Sequence, residues 1–443
     1  MLQIHYIRVS FIRPVLLFAM GLALVALLAC SGDGGDEPDK PNGGSSSIVN
    51  GEWPFDALGE ALEPSSGLDA LGLENVIKIE YKNGTVEIDN PYSEVSTSET
   101  NGQNVVVRIP NSSNTEYNFV LSGTTSNGSL KFYGDVKKGL YLNGVSITNS
   151  NGPAINIQKS GRIYVHLING TKNFLTDGKF YNTPSEEQAK GTFFSEGKLH
   201  FEGSGSLEVK GKYNHAIVVD NDIEISNGEI IVSEAAGDGI HANDKIQVKG
   251  GYLKIISVGD AIQSEKDLNQ IEISGGKIKA LTSGIKSHGI ASEGPISTSG
   301  KAIVQISTLG NGSKGMRSRS WVEFKGGKTS IKTSGTKHTD PTDPEDESNS
   351  AGIKLAKDLF IEGGELTIKT LGNGAKGINT DGNATISSGK IDIDADDDGL
   401  RVHGTLKIEG GSGNIKSKKK KAINADSWDN NKGSITTQDS GGS

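Results

Sequence analysis

From Ile217 onward the chain repeats a small residue followed by an apolar one. The apolar members are Ile217, Ile240, Ile262, Ile285, Met316, Ile353, Ile378, Leu400 and Ile423, at steps of 23, 22, 23, 31, 37, 25, 22 and 23 residues. Most turns of the pattern are therefore 22 to 25 residues long, and two carry insertions. A second marker keeps the register: Gly228, Gly251, Gly327, Gly364, Gly389 and Gly411 each lie 11 residues after the apolar position of their own turn. Within a turn the alternation is that of strands, as in Ile217/Val219 and Ile240/Ala242. A second short strand precedes the glycine, as in Ile246/Val248, and a third follows it, as in Leu253/Ile255. Three short strands per turn with Gly-rich corners predict an all-β fold, a single-stranded parallel β-helix or solenoid of about ten or more turns. An antiparallel sandwich would instead turn back about every 8 to 12 residues.

Phe193, Ile155 and the segment from Leu140 to Ile147 continue the pattern toward the N-terminus. The predicted organisation is a signal peptide over 1–29, a tether over 30–48, N-terminal strands forming a cap over 49–103, the β-helix over 104–436 and a disordered tail over 437–443. The stretch His338–Ser350, "HTDPTDPEDESNS", falls inside the longest step and is expected to be a disordered surface loop. A stack of this kind must cover its first exposed edge, which is the reason for expecting a cap.

Composition agrees with the pattern: 60 glycines and only 6% aromatic residues describe a core of small and β-branched side chains closed by tight turns. The net charge of -9 gives no basic footprint for nucleic acid, so no nucleic-acid partner is expected. Arg8 and Arg13 precede an apolar run from Val15 to Leu28, short for a membrane span and suited to a signal-peptide core. It ends in Leu27-Leu28-Ala29-Cys30, similar to a bacterial lipobox, and Cys30 is the single cysteine, so lipidation rather than a disulfide is its expected fate. The tether "SGDGGDEPDKPNGGSSS" has no apolar period, and its acidic start resembles the export signal of surface lipoproteins in some Gram-negative bacteria. The expectation is a monomeric outer-membrane lipoprotein, surface-exposed, touching the membrane through its lipid alone.

Stacking makes positions roughly 22 apart neighbours at about 4.8 Å. Two residues before the marker stand His215, Asp238, Asp260, Ser283, Lys314, Ala351, Lys376, Asp398 and Lys421; three after it stand Glu196, Asp220, Asn243, Glu265, His288 and Arg319. Carboxylates one strand spacing apart repel, and a divalent cation would relieve that repulsion. Oxygen donors suit calcium better than zinc, for which there is no cysteine cluster and the histidines are scattered. The candidate calcium ligands are Asp220, Asp238, Asn243, Asp260 and Glu265, with Asp398 as a second site. Taken singly, each Gly-Asp-Gly is also ordinary turn chemistry, the Asp bonding to nearby backbone. The columns then become basic, and Lys286, His288, Lys314, Arg317 and Arg319 are the candidate contacts to a carboxylate-bearing polymer, about 10 to 15 Å from the acidic turns at one strand spacing per turn. Lys416–Lys421, "KSKKKK", reads as a solvated rim, and Trp321 and Trp428 as packing.

Three stretches carry a resemblance: "LYLNGVSITNSNGPAINI" (Leu140–Ile157), "NGTKNFLTDGKFY" (Asn169–Tyr181) and "GDGIHANDKIQVKGGYLKI" (Gly237–Ile255) with its successor at Gly259–Ala280. Over roughly Val105 to Asp426 the chain resembles bacterial calcium-binding, carbohydrate-binding proteins with a right-handed parallel β-helix like that of pectate lyases. The resemblance implies calcium held by Asp-containing turns, to which Asp238 and Asp260 correspond. It also implies attachment to plant cell-wall polysaccharide, including polygalacturonate and cellulose, without an established enzymatic activity. Ser283, Lys314 and Lys376 depart from the Asp pattern. Two other functions remain open. One is a calcium-dependent polysaccharide lyase with Lys286, Arg317 or Arg319 as the base; the other is an adhesin scaffold.

Overall fold

The computed structural model describes residues 72–440, apart from 101, 112, 114, 160, 183 and 267–269. The signal peptide, Cys30, the tether and the first part of the expected cap lie outside the described residues. Every regular element among the described residues is a strand, and the strands stack in parallel into a solenoid of about 13 turns.

The first strand of each turn lines up Val105, Leu130, Ile155, Phe193, Ile217, Ile240, Ile262, Ile290, Met316, Ile353, Ile378, Leu400 and Ile423 in one inward column. The second sheet stacks Ile223, Ile246, Ile271, Ile296 and Val322. The third stacks Leu207, Ile230, Leu253, Ile278 and Val304. These side chains are buried against one another in a single core running the length of the coil. Removing one by Ile→Ala costs about 2 to 5 kcal/mol.

Two corners explain the repeated glycines. Between the second and third strands, Gly228, Gly251, Gly276, Gly300, Gly327, Gly364, Gly389 and Gly411 all have φ between +59° and +103°, a left-handed corner open to residues without a Cβ. Immediately before the marker a small residue is needed for a different reason. A Cβ on Gly239 would lie 2.2 Å from Ile255 Cγ2 and 2.7 Å from the carbonyl of Ala261. The equivalent positions are Ala216, Ala261, Gly289, Gly315, Gly352, Gly377, Gly399 and Ala422.

The observed register corrects the sequence reading at one turn. Ile262 pairs with Ile290, not Ile285, and Ile290 with Met316. Two short insertions cause this. Ile271 follows Ile262 by nine residues where Ile246 follows Ile240 by six, and Ile290 follows Ile278 by twelve where Ile262 follows Leu253 by nine. The second insertion pushes Ile285 out to 59% exposure and puts Lys286 in the left-handed region at φ 55°. Gly284-Ile285 thus has the small-apolar form of the marker without its place.

Three boundaries also shift. Ile77–Lys82 pairs in parallel with Tyr117–Thr125 while Thr85–Asp89 covers its other edge in antiparallel fashion. The parallel stack therefore begins before residue 104, with hairpins as its cover. Ser434–Gln438 pairs with Ser412–Ser417, carrying the last turn past residue 436. The segment over 338–350 forms a small hairpin, His338–Thr339 against Glu347–Ser348, because its acidic side chains find cations. Asp346 reaches Lys286 and Glu347 reaches Lys337.

The non-repeating motif Asn169–Tyr181 is structural. Asn173, fully buried, accepts the amides of Gly144 (2.9 Å) and Val145 (3.0 Å) and donates to the Ser206 carbonyl (2.9 Å). Asp177 accepts the Tyr181 hydroxyl (2.6 Å) and the Lys212 amide (2.6 Å), and Tyr181 stacks on Tyr213 with ring centroids 4.0 Å apart.

Candidate functional site

The corner ahead of the first sheet carries a column of polar side chains, each turned toward the next turn. His215 Nδ1 accepts the Asp238 amide (2.9 Å), and Asp238 Oδ1 accepts the Asp260 amide (2.7 Å). Asp260 Oδ1 accepts the His288 amide (2.5 Å), and His288 Nδ1 accepts the Lys314 amide (3.0 Å). Five successive turns are linked by these four bonds, side chain to backbone. The column was legible up to Asp260; the register error placed Ser283 where His288 stands.

Asp238 is the centre of a tight cluster. Its Oδ2 accepts from His241 Nδ1 at 2.8 Å and lies 3.1 Å from His215 Nδ1. His241 Nε2 in turn lies 3.0 Å from Glu265 Oε1. His215, Asp238 and His241 are each less than a tenth exposed. Burial alone would raise the Asp238 carboxyl, but the two imidazoles outweigh it and hold the carboxylate well below its usual range. His241 behaves in mirror image. Burial would lower it, yet hydrogen bonds to Asp238 and Glu265 push it up to about 10, so both ring nitrogens carry protons at neutral pH. His215 Nδ1 cannot both accept the Asp238 amide and donate to Oδ2. It accepts the amide when Nδ1 is unprotonated and donates to Oδ2 when Nδ1 carries the proton, and the second arrangement is the one that helps hold the carboxylate low.

Two features of this cluster escaped the sequence reading. The histidines described as scattered are gathered here. His288, counted among the cationic contacts, is buried; burial first, then Lys314 and Arg317, push its pKa well below the usual value, so it is neutral.

The second column, three residues after the marker, is the rim of the same face. With Ile290 as marker, Glu293 takes the place assigned to His288, so Glu196, Asp220, Asn243, Glu265 and Glu293 stand in five successive turns. Their amides bond back in register, Asn243 to Val219, Glu265 to Ala242 and Glu293 to Ser264. Asp220 meets Lys190 Nζ at 2.8 Å and the Asn243 side-chain amide at 3.3 Å.

The basic residues are brought together less than expected. Arg317 and Arg319 both clasp Glu293, at 3.1 and 2.8 Å. Lys286 is engaged by Asp346, and Lys314 by Ser348 and the Gly312 carbonyl, all on or beneath the inserted hairpin. Asp398 lies on the corner column farther along, receiving the Lys421 amide (3.4 Å) and the Asn424 side chain (3.0 Å).

The oxygen donors divide on whether they suit calcium. Asp238 and Asp260 do not fit such an ion: the oxygens described above face amides and imidazole, and imidazole is a poor calcium ligand. At the rim, where Asp220 Oδ1 meets Lys190 and Glu265 Oε1 meets His241, the second carboxylate oxygen of Asp220 and of Glu265 and the side-chain oxygen of Asn243 are the donors whose chemistry fits.

A family model of carbohydrate-binding domain-containing proteins matches residues 101–376, more than half of the sequence. The chain belongs to this carbohydrate-binding family. The match takes in the polar corner from His215 to Lys314 and the rim from Glu196 to Arg319. A carbohydrate-binding domain-containing protein of Acetivibrio thermocellus is 27% identical over 227 residues, covering 50% of this chain and 65% of the relative. The chain thus spans less than two thirds of that relative's length. A solved structure described as the polysaccharide lyase-like protein from C. thermocellum, gadolinium derivative, is 20% identical and aligns with a TM-score of 0.40 over 70% of this chain and 96% of its own.

Proposed function

We propose that this carbohydrate-binding protein is a surface lipoprotein that retains an acidic polysaccharide of plant cell-wall type, such as polygalacturonate, without chemical turnover. Calcium would bridge the sugar carboxylates to the rim. The observation that carries the reading is the unbroken row Glu196, Asp220, Asn243, Glu265 and Glu293, hard oxygen donors at one strand spacing along a regular, partly exposed face. Arg317 and Arg319 border its end and can exchange Glu293 for a uronate, since a guanidinium pairs equally with either carboxylate. A lyase reading is weaker. A base must be placed to reach the substrate's proton, and Lys286, Arg317 and Arg319 are each engaged by a carboxylate of the protein itself.

Retention on immobilised polygalacturonate and on cellulose, with calcium or with chelator, tests the reading. Loss of polygalacturonate retention in chelator and in Asp220→Ala/Asn243→Ala is expected. Retention indifferent to both would overturn the calcium bridge. Growth of an absorbance from unsaturated uronate would overturn the non-catalytic assignment. Anchoring rests on Leu27–Cys30, and Cys30→Ser should release the protein from the membrane fraction.

A further inference from the structure

Calcium does not suit the buried corner, but the donors found there suit a different ion. We propose that His215, Asp238 and His241 form a binding site for one divalent transition metal of the zinc class. One ligand atom from each of His215, Asp238 and His241 lies within 4.8 Å of the other two, and Asp238 Oδ2 stands 3.1 Å from His215 Nδ1 and 2.8 Å from His241 Nδ1. Ligand atoms arranged tetrahedrally at about 2.0 to 2.1 Å from a zinc ion are themselves a little over 3 Å apart. The two carboxylate-to-nitrogen distances are already close to that spacing.

The donor set selects the class. Two imidazoles and one carboxylate match borderline metals such as zinc and cobalt, whereas calcium demands six to eight oxygens. The surroundings supply the outer contacts that such sites use. His241 Nε2 is held by Glu265 at 3.0 Å, which leaves Nδ1 as the ligating nitrogen. Asp238 Oδ1 is held by the Asp260 amide at 2.7 Å, which leaves Oδ2 as the ligating oxygen. Entry of the metal displaces the proton between His241 Nδ1 and Asp238 and the hydrogen bond from the Asp238 amide to His215 Nδ1. The mounting is rigid: His215 begins the strand His215–Val219, His241 is the middle residue of Ile240–Ala242, and these strands pair directly. Three protein ligands leave a fourth position for water or an exogenous donor, the arrangement of zinc sites that stay open.

Untagged full-length protein, stripped with chelator and dialysed, would be titrated with zinc chloride by calorimetry and with cobalt chloride by visible spectroscopy. One equivalent bound at micromolar or tighter affinity is expected, with intense cobalt absorption of low-coordinate type and no displacement by millimolar calcium. His215→Gln should abolish binding. Glu265→Gln, which acts on the zinc-class ion only through His241, should weaken it about 10- to 100-fold. Circular dichroism would establish that both variants fold; if His215→Gln does not, the Glu265→Gln ratio decides. Absence of saturable zinc binding, or the same affinity in the wild type and in Glu265→Gln, would overturn the site.

Discussion

Asp238→Ala probes how much the polar corner contributes to holding adjacent turns together. In metal-free protein the carboxylate has two tasks. Oδ1 is the acceptor for the buried Asp260 amide at 2.7 Å, and Oδ2 neutralises His241 at 2.8 Å. Stranding a buried amide costs about 1 to 3 kcal/mol, and breaking a buried ion pair from one side costs about 3 to 5 kcal/mol. The two losses overlap, because His241 retains Glu265 and can lose its proton, so the expected cost is about 4 kcal/mol. Asp238→Asn keeps an oxygen for the amide and gives up only the charge, so about 2 kcal/mol is expected. A long solenoid need not unfold as one unit, and the assay should be local. Hydrogen exchange by mass spectrometry on peptides spanning Ser257–Ser264, in chelator, reads the opening of this turn directly. The alanine variant should exchange about 1000-fold faster and the asparagine variant about 30-fold faster, at about 1.4 kcal/mol per decade. Less than about 5-fold acceleration in the alanine variant, under 1 kcal/mol, would show that the corner bonds are replaced by water at no cost and would refute the reasoning.

Three other outcomes follow from different parts of the coil. Lys138 is buried with its ammonium on the carbonyls of Gly134 and Val136, both at 2.9 Å, and burial pushes its pKa down to about 8. The unfolded chain therefore binds more protons between pH 8 and 10.5, so stability should rise with pH across that window by on the order of 3 kcal/mol. Below pH 8 this contribution should be flat, and Lys138→Met should lack the rise when denaturant midpoints are compared pH by pH. Asn173→Ala strands the buried Val145 amide and removes the partners of the part-buried Gly144 amide and Ser206 carbonyl, and should cost about 2 kcal/mol, read as early loss of protection around Gly144–Ile147; unchanged protection would assign those amides to water. Replacing Asp340–Asp346 by a short Gly/Ser link frees Lys286 from Asp346. It should tighten polygalacturonate binding about 2- to 5-fold at low salt, the scale of an exposed ion pair, and a weaker complex would mean that the hairpin itself touches the sugar.

The core was legible because inward positions recur in every turn, and only isoleucine-like residues fill them. The turn at Ile290 was misread because spacing was weighed above local form. Gly284-Ile285 satisfies a 23-residue step, whereas Ser287-His288-Gly289-Ile290 repeats the polar-Gly-Ile order of Asp238-Gly239-Ile240. The local form is the better guide, because a turn can absorb three extra residues in a loop but cannot do without the small residue that clears the neighbouring isoleucine. The histidine cluster was hidden for another reason. Columns compare like positions, while His215 stands two before its marker and His241 one after, so they meet diagonally across adjacent turns.

The expectation that stacked carboxylates require a cation overlooked a nearer source of compensation. Asp238 and Asp260 in successive turns are each compensated by backbone: the amide of Asp260 donates to Asp238 and the amide of His288 donates to Asp260. Any side chain with an acceptor at that depth serves, and both Asp and His are found there. Where Lys314 and Ala351 offer none, the amides of Ala351 and Lys376 turn instead to the carbonyls of Ser313 and Ser350, both at 3.2 Å. The corner thus tolerates basic residues from Lys314 onward without losing a hydrogen bond. The part of the column that keeps both Asp and His is the part where the proposed metal would find its three protein donors.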